Sequence, residues 1–517
     1  MKYFYGLALV ASVMLWSSCR NDFDTSPSTG NLQFSKDTVY LDTVFTNIGS
    51  STYNLKVYNR SDKDISIPTV RLSQGEASKY RLNVDGIPGK TFEDVQVLAN
   101  DSIFIFIETT VDITDQSNDT QFLYTDQIVF DSGSNEQKVE LVTLIQDAVF
   151  LYPEKFADGT IETLNLGQDG DGEDILVEGF FLDDPELTFT NEKPYVIYGF
   201  AAVPSGKTLT VQPGARVHFH SGSGIIVAEN GSIKANGAPS SDPELLENEI
   251  IFEGDRLEPD FAEVPGQWLT LWLTAGSTNN EFSYATIKNN VVGILMDSND
   301  GDRTLTLKNV QMYNSSNVGL LARTGDVYGE NVVIGDAGQS SLACSLGGRY
   351  TFNHCTFGNY WSNGFRSFPA VTIDNVLQLS DTEILVADLE EANFNNCIIY
   401  GSELREIALV EDENAAFNFN FTNSLIRFED PQGDFDGLPN YNFDNQSLYT
   451  NCVFNADPVF QDVTVNNLNI ETGNSGADGI ADPAVSSMVP FDLNGTVRST
   501  SAPDAGAYES TEFPPEG

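Results

Sequence analysis

The chain has 517 residues, 40% hydrophobic and 11% aromatic, which is enough to build folded cores, and its length predicts two or three domains. The formal net charge of −49 disfavours nucleic acid and anionic lipid surfaces as partners, because both need a basic surface. The charge also suits solubility in a salty medium.

The first residues have the pattern of an export signal. A weakly basic start leads into an apolar stretch, Tyr3–Trp16, that is too short to span a bilayer comfortably. Ser17 and Ser18 then precede Cys19, an arrangement that resembles a bacterial lipobox. It predicts a signal peptide over residues 1–18 and an acylated Cys19, although the tryptophan that ends the stretch departs from the usual pattern. Ordinary signal-peptidase cleavage near Ser18 is the alternative.

Residues 19–30 are polar and rich in Ser, Pro and Asp, which predicts a flexible tether. Within it, Asp22 and Asp24 resemble the acidic signals that send such lipoproteins to the cell surface. Beyond the signal peptide, no stretch of the sequence is long and apolar enough to cross a membrane. The lipid on Cys19 is therefore the predicted anchor, with outer-membrane lipid as its partner and the outer membrane or cell surface as its location.

Residues 31–150 predict an immunoglobulin-like β-sandwich. Three segments place apolar residues at every second position, namely Thr38–Phe45, Tyr53–Tyr58 and Ser102–Glu108, and turn-rich segments separate them. About seven strands in about 120 residues suit this fold. The segment resembles the β-sandwich modules placed ahead of β-helices in Bacteroidota surface lipoproteins. It contains no catalytic constellation, and a spacer or interaction module is expected.

Seven copies of a four-residue signature predict a parallel β-helix. The second residue of the signature is small, the fourth is apolar, and the first is mostly Asn. Successive copies begin 22 to 28 residues apart, with one interval of 42. The copies are Tyr284–Ile287, Asn309–Met312, Asn331–Ile334, His354–Phe357, Asn396–Ile399, Asn423–Ile426 and Asn451–Phe454.

The signature has one economical physical interpretation. A strand ends with an inward residue, mostly an aromatic, two positions before the signature. A tight turn follows at the first position, and the next strand points its second and fourth residues inward. Stacked Asn amides at the turn can hydrogen-bond from coil to coil. His354 occupies this turn position, so a structural role is expected for it rather than catalysis. The long interval predicts an insertion over residues 366–391, around the strand-like segment 370–379.

The cysteines downstream of Cys19 fit the same pattern. Cys355, Cys397 and Cys452 occupy the small inward position, which predicts packed thiols. A disulfide between Cys344 and Cys355 is the alternative. No CxxC spacing occurs in the sequence, which disfavours a zinc site.

Both ends of the repeat region extend the prediction. Segments 195–199, 208–220 and 224–234 have the pattern of opening coils, and Pro503–Glu509 resembles the C-terminal region of Bacteroidota β-helix proteins. The resemblance covers roughly residues 165–510 and is to the pectate-lyase-like superfamily, including its "choice-of-anchor" lipoproteins. It implies a right-handed parallel β-helix over 151–510 and a disordered tail over 511–517. It implies no single activity, because this fold hosts lyases, hydrolases, epimerases, adhesins and stalks.

Basic side chains are scarce and therefore informative. A polysaccharide lyase needs a base and a positive group or Ca²⁺ to neutralise a uronate carboxylate. Strand alternation places Val217 and Phe219 inward and the polar residues between them on one outward face, which is either a binding surface or a solvated strand face. The basic candidates for catalysis are Arg216, His218, His220, Arg349 and Arg366.

Aromatic side chains supply a second set of candidates. If Leu269, Leu271 and Leu273 face the core, Trp268 and Trp272 lie outside, where their indoles can stack on sugar rings or be covered by a loop or by the sandwich. Tyr360, Trp361 and Arg366 flank the predicted insertion and are further candidates to line a groove on the β-helix. The carbohydrate-binding candidates are Trp268, Trp272, Tyr360 and Trp361.

Two oxygen-rich, Gly-punctuated loops suggest Ca²⁺ as a possible cofactor. The first contains Asp169, Asp171, Glu173 and Asp174, and residues 297–302 are similar. Neither matches the full EF-hand spacing, and simple acidic turns between coils are the alternative. The sequence thus favours a surface lipoprotein whose β-helix binds extended polysaccharide or acts as a scaffold. A polysaccharide lyase or related carbohydrate-active enzyme, and an adhesin, are the alternatives.

Overall fold

The computed structural model describes residues 25–117, 119–168, 170, 172–242, 245–297, 303–379 and 383–514. The predicted signal peptide and Cys19 lie outside these ranges, as do Asp169 and Asp171. The chain divides between Asp147 and Ala148 into two compact units.

The first unit is a sandwich of two sheets around one core. In the six-stranded sheet the order is β1-β5-β10-β11-β3, with β8 beside β5, and in the five-stranded sheet it is β2-β4-β9-β6-β7. Short 3₁₀ turns lie at Gly75–Ala77, Ile113–Asp115 and Gly133–Asn135. The strands are β1 (Ser26–Pro27), β2 (Gln33–Phe34), β3 (Thr38–Phe45), β4 (Tyr53–Tyr58), β5 (Ile65–Leu72), β6 (Tyr80–Val84), β7 (Ile87–Gly89), β8 (Thr91–Val97), β9 (Ser102–Thr109), β10 (Gln121–Phe130) and β11 (Gln137–Gln146).

The sandwich core follows directly from strand alternation. Along β9, Ile103, Ile105 and Ile107 are buried, whereas Phe104 and Phe106 are exposed on the other face.

The second unit is a parallel β-helix, so the predicted fold of a β-sandwich followed by a parallel β-helix is confirmed. Its elements are β12 (Val149–Leu151), β13 (Thr163–Gln168), β14 (Asp174–Phe181), β15 (Thr188–Phe189), β16 (Tyr195–Ile197), β17 (Phe200–Val203), β18 (Thr208–Val211), β19 (Arg216–Phe219), β20 (Gly224–Val227), β21 (Ser232–Asn236), β22 (Ile250–Gly254), β23 (Thr270–Leu273), β24 (Asn280–Lys288), β25 (Val292–Met296), β26 (Leu305–Tyr313), β27 (Val318–Gly335), β28 (Leu342–Asn353), β29 (Thr356–Asn359), β30 (Val371–Asp374), β31 (Val376–Gln378), β32 (Ile384–Val386), β33 (Leu389–Asn395), β34 (Ile398–Gly401), β35 (Ile407–Val410), β36 (Phe417–Thr422), β37 (Leu425–Ile426), β38 (Tyr449–Thr450), β39 (Val453–Phe454), β40 (Phe460–Asp462), β41 (Asn467–Ile470) and a short helix, α1 (Pro483–Ser486). Short 3₁₀ turns lie at Asp184–Glu186, Pro259–Phe261, Pro439–Tyr441 and Val463–Val465.

The coils stack into three parallel sheets. Sheet 1 runs from β12 through β16, β19 and β22 to β39, sheet 2 from β14 through β17, β20 and β23 to β35, and sheet 3 from β15 through β18 and β21 to β38. Several long strands, such as β24, β26 and β27, bend from sheet 3 into sheet 1 and so contribute to both. The predicted opening coils are β16 to β21.

The turn between sheets 3 and 1 is the signature position. All seven first residues of the signature have left-handed backbones, with φ between 44° and 55°. Asn tolerates this conformation better than most residues, which explains its recurrence there. The expected coil-to-coil bonds form between Asn331 Nδ2 and Asn309 Oδ1 at 2.8 Å and between Asn396 Nδ2 and His354 Nε2 at 2.9 Å.

His354 is structural, as predicted. It is buried, its Nε2 lies 2.8 Å from Ser486 Oγ, and burial holds its pKa well below the ordinary value for histidine. The imidazole is therefore neutral at physiological pH.

The core of the β-helix is a stack of matched side chains. The aromatics that precede the signature pair in register, with ring centroids of Phe394 lying 5.3 Å from Phe352 and 4.9 Å from Phe421. Cys355 and Cys397 are buried free thiols in the small inward position, as predicted. Cys344 is also a free buried thiol, on β28 in sheet 2, so the alternative disulfide does not form.

The predicted insertion is smaller than expected. Strand β30 is a regular coil strand of sheet 2, paired with β28 and β35. The added structure is the antiparallel hairpin of β31 and β32. The pattern of β30 cannot be told from that of an inserted strand, because only its partners in neighbouring coils assign it to a sheet.

Residues 455–514 form a segment that we call the C-terminal strap. It leaves the last coil and packs back on earlier ones: Gly506 N donates to Asn396 O, and Ala507 N donates to Thr356 Oγ1. Thr511, placed in the predicted tail, donates from its backbone N to Ile470 O, and residues 515–517 lie outside the described ranges. Across the described part of the chain, no helix is both long and apolar enough to span a bilayer.

Candidate functional site

Arg216 is committed to the backbone of the β-helix. Its Nη1 donates to Glu249 O at 2.6 Å, and its Nη2 donates to Leu246 O at 2.7 Å and Leu245 O at 3.2 Å. Burial lowers the pKa of the guanidinium. Arg216 therefore holds the loop that ends at Glu249 rather than facing a substrate.

The polar face of β19 points away from the core as predicted, but it is only partly open, and its predicted exposure is wrong for His218. Val217 and Phe219 do face the core. His218, however, is buried, with its Nδ1 3.2 Å from Gly254 O. His220 remains open, stacks on Tyr198 and lies 2.7 Å from Asp255 Oδ2. Alternation sets the direction of a side chain but not what packs over it, and the next coil covers His218.

Arg349 lies on the outer face of sheet 3 among carboxylates. Its guanidinium pairs with Glu390 and lies 3.5 Å from both Asp326 and Glu391. These anions raise the pKa of Arg349, chiefly through Glu390.

Arg366 is buried against Glu406, so its placement in an open groove is wrong. The sequence offers no sign of this pairing, because 39 residues separate the two side chains. Arg216, His218 and His220 belong to β19 and the turn after it, whereas Arg349 lies on β28 and Arg366 in the loop after β29, so the structure does not bring the five basic candidates together.

The predicted exposure of Trp268 is wrong. Its ring is fully buried and stacks on Phe219 at 4.2 Å, and its Nε1 donates to Lys288 O at 2.8 Å. Trp268 lies before β23 begins, at a corner bridged to Asn290, so the alternation of β23 does not extend to it.

The other aromatic candidates are also partly covered. Trp272 points outward as predicted, but it packs on a cluster that includes Leu164 of β13, and its Nε1 donates to Asp297 Oδ2 at 2.7 Å. Tyr360 meets Phe460 of the C-terminal strap edge to face, and burial raises its pKa. Trp361 is half-buried beside it. These residues do not form one sugar-binding platform with Trp268.

Of the four acidic residues in the first predicted Ca²⁺ loop, Glu173 and Asp174 lie within the described ranges. Asp174 Oδ1 accepts from Gln168 Nε2 at 3.2 Å. In the second loop, Asp297 is described and is already engaged by Trp272 and Arg323. Among the residues that the structure describes, no three acidic, His or Cys side chains are arranged to hold a metal ion.

A cavity of about 530 Å³ lies over the turns between sheets 3 and 1, and we call it the strap cavity. One wall is the loop before β22, and a second is the C-terminal strap. The third wall comes from β24 and β26, at the left-handed turns between sheets 3 and 1. We call the stacked first residues of the signature at these turns the turn row. Its size is that of a small-ligand site. The lining residues are Pro239, Ser240, Leu246, Glu249, Tyr284, Asn309, Gln311, Phe491, Leu493, Asn494 and Gly495.

The strap wall of the cavity is held firmly. Phe491 O accepts from Asn331 Nδ2 at 2.8 Å, Leu493 N donates to Ala507 O at 2.9 Å, and Asn494 Nδ2 donates to Asn469 Oδ1 at 2.8 Å. The first bond holds the strap against a coil of the β-helix, and the other two hold the strap together internally, so the cavity is preorganised.

Several polar groups of the strap cavity keep unused hydrogen-bonding capacity. Gln311 Oε1 accepts from Tyr313 and Tyr508, and Asn309 Oδ1 accepts from Asn331 Nδ2. Within the described residues, the Gln311 and Asn309 amide nitrogens and the Glu249 carboxylate have no hydrogen-bond partner. Burial raises the pKa of Glu249, and Arg216 opposes this rise.

Tyr284 is the unusual member of the turn row. Its φ of 44° is left-handed, a conformation that costs an aromatic residue roughly 1–2 kcal/mol. Most other copies of the signature use Asn there. Backbone strain of this kind concentrates at functional sites. Tyr284 was visible in the sequence as the aromatic exception to the Asn rule, whereas the roles of Glu249 and Phe491 depend on contacts far apart in the chain.

No protein-family model matches this sequence, and no curated protein sequence matches it. Among solved structures, the chain is similar to the catalytic unit of a thermostable GH87 α-1,3-glucanase from Streptomyces thermodiastaticus, with 12% identity and a TM-score of 0.24. That match covers 72% of this chain and 83% of the glucanase.

Two other likenesses are shorter. A family 123 glycoside hydrolase from Clostridium perfringens matches with 8% identity and a TM-score of 0.16, over 24% of this chain and 31% of the hydrolase. The periplasmic chaperone SfaE matches with 13% identity and a TM-score of 0.16, over 29% of this chain and 83% of the chaperone. TM-scores this low support no inference about function.

Proposed function

We propose that this protein binds glycans in the strap cavity. The observation that carries the proposal is the strained Tyr284, set beside the open amides of Asn309 and Gln311 and the carboxylate of Glu249. An aromatic ring stacks on the apolar face of a sugar, and amides and carboxylates bind its hydroxyls. Phe491, in the strap wall, adds a second aromatic ring to the cavity.

Binding is favoured over catalysis by the composition of the cavity. The mechanism of most glycosidases uses two carboxylic acids, and Glu249 is the single acid among the lining residues that the structure describes. A lyase needs a free cation for a uronate, but Arg216, Arg349 and Arg366 are all engaged by backbone carbonyls or carboxylates.

The test is glycan binding by the ectodomain, residues 20–517, and its Tyr284→Asn variant. Asn restores the residue that other coils use at this turn, so the variant keeps the fold while it loses the ring. We expect the affinity for a bound oligosaccharide to fall about ten-fold or more, equivalent to about 1.4 kcal/mol. Isothermal titration calorimetry measures the affinity after a glycan-array screen.

The matched control is Tyr152→Asn, which removes an exposed ring elsewhere on the β-helix. It should leave the affinity unchanged. Equal affinities of the wild-type protein and Tyr284→Asn would place the ligand outside the strap cavity.

We also propose that the protein is a lipid-anchored surface lipoprotein, like the Bacteroidota proteins that it resembles. The support is the apolar leader and the Ser-Ser-Cys sequence that ends at Cys19. A Cys19→Ala variant should lose both metabolic labelling with a palmitate analogue and membrane association. Cys344→Ala, which removes a buried thiol, should lose neither. Persistent labelling of Cys19→Ala would refute the anchor.

A further inference from the structure

We infer that the glycan of the strap cavity carries a free amine, and that its ammonium group sits beside Glu249. This inference rests on the proposed function and adds the class of ligand. It follows from the charges that surround the cavity and from the contacts that already engage the nearest cationic side chains.

Glu249 provides an open anion in the cavity wall. Its carboxylate has no hydrogen-bond partner among the described residues, although its backbone carbonyl accepts from Arg216 Nη1 at 2.6 Å. The neighbouring Glu247, by contrast, accepts from both the backbone and the hydroxyl of Ser241. Arg216 acts on this carboxylate through its charge but donates no hydrogen bond to it, so Glu249 favours a ligand group that brings hydrogen-bond donors together with a positive charge.

The cations near the cavity cannot serve an anionic ligand. The Arg216 guanidinium donates hydrogen bonds to five backbone carbonyls, those of Gly214, Ala215, Leu245, Leu246 and Glu249. Arg498, in the strap, is buried and pairs with Glu509 at 3.2 Å while also donating to Asn331. Both guanidinium groups are thus already engaged within the protein, which disfavours them as partners for a uronate or a sulfate.

Among the described residues, the other groups whose charge acts on the cavity lining are acidic or neutral. Tyr284 lies in the field of Glu249 and Glu330, and Tyr508 in the field of Asp492 and Glu249. The whole chain carries a net charge of −49, which steers polycations toward it and repels polyanions. An amine-bearing oligosaccharide matches both the local and the overall field.

The selectivity should depend on pH through Glu249. The charged and titratable groups that face it are Arg216 of β19, Glu247 of its own loop, Tyr284 of β24, Tyr313 of β26 and Tyr508 of the strap. The three tyrosines have raised pKa values and stay neutral below pH 10. Burial raises the pKa of Glu249, so its charge is lost under milder acid than for an ordinary glutamate. A hexosamine amine stays protonated in this pH range. The difference in affinity between the free-amine and N-acetylated ligands should therefore shrink as the pH falls through the pKa of Glu249.

The experiment compares three probes on the ectodomain by calorimetry: a glucosamine tetramer, its N-acetylated counterpart and a galacturonate tetramer. We expect the free amine to bind about ten-fold more tightly than the N-acetylated form, and the uronate to bind most weakly. Glu249→Gln should bring the three affinities together. Glu413→Gln, which removes one exposed charge outside the cavity, should leave the order unchanged.

The outcomes separate the two proposals. Equal binding of the amine and N-acetyl probes, or an order that survives Glu249→Gln, overturns the inference while glycan binding stands. If none of the probes binds and a wider glycan array is also silent, both the inference and the proposed function fail. Tight binding of the uronate overturns the inference alone.

Discussion

Arg366 and Glu406 form a buried two-point ion pair between two loops of the β-helix, with Nη1 2.9 Å from Oε2 and Nη2 2.8 Å from Oε1. Their side chains are 2% and 0% exposed. Glu406 also accepts from the backbone N atoms of Ala370 and Glu403. The pair therefore ties the loop after β29 to the loop after β34.

Removing one partner should be costly, because it leaves a buried charge without compensation. We expect Arg366→Ala to lower the free energy of unfolding by about 3–5 kcal/mol. The double variant Arg366→Met with Glu406→Leu should lose much less, since both charges are then gone. Urea unfolding followed by circular dichroism measures both. If the double variant were as unstable as the single one, the loss would come from packing rather than from charge.

Asp336 should make stability depend on pH. Burial raises its pKa from 3.8 to about 6. Because the folded pKa lies above the unfolded one, the contribution is fully present below about pH 4 and is lost as the pH rises through 6. A change of this size corresponds to about 3 kcal/mol.

Asp336→Asn isolates that contribution. Its φ of 42° suits Asn, which occupies the matching corner of the two preceding coils as Asn289 and Asn314. We expect the variant to be more stable than the wild type at pH 8 and about equal to it at pH 3.5. Denaturant midpoints at the two pH values provide the comparison. A gain that is the same at both would point to the turn rather than to the carboxyl group.

The sequence predicts the coils well because each depends on local rules repeated at intervals. The left-handed turns at Asn396 and Asn423 and the small inward slot of Cys397 are all readable from one aligned signature. The boundary of the insertion is not, since β30 has the pattern of any strand and only its pairing with β28 and β35 assigns it to sheet 2.

The candidate site was much less predictable than the fold. The walls of the strap cavity come from segments as far apart as Glu249 and Phe491, and nothing local marks either one. The prediction for Trp268 failed for a different reason. Trp268 fits the alternating pattern of the sequence, but it lies at a corner, where alternation no longer sets the direction of a side chain. Whether the strap or the next coil packs over a side chain depends on residues far away in the chain. The sequence around the covered residue does not show it.

Trp268 is therefore expected to act on stability and not on glycan binding. Truncating a fully buried indole to Ala should cost about 3–5 kcal/mol. Trp268→Phe keeps a ring stacked on Phe219, so it should cost less and leave the glycan affinity unchanged. Trp272→Phe is the control on the outer face of sheet 2. A fall in affinity for Trp268→Phe without a fall in stability would contradict this assignment.

The turn row offers a test of backbone strain against hydrogen bonding. Asn423 has a φ of 47°, and its Nδ2 donates to Ile480 O of the C-terminal strap at 2.7 Å. Asn423→Gly keeps the left-handed turn and should lose about 1 kcal/mol with the side-chain bond. Asn423→Val should lose roughly 1–2 kcal/mol more, because a branched residue opposes this φ. Urea midpoints rank the variants, and hydrogen exchange at Asn423 and Val453 shows whether the damage stays local. Equal losses for Gly and Val would mean that the turn relaxes to another conformation and that the Asn row is kept for its hydrogen bonds alone.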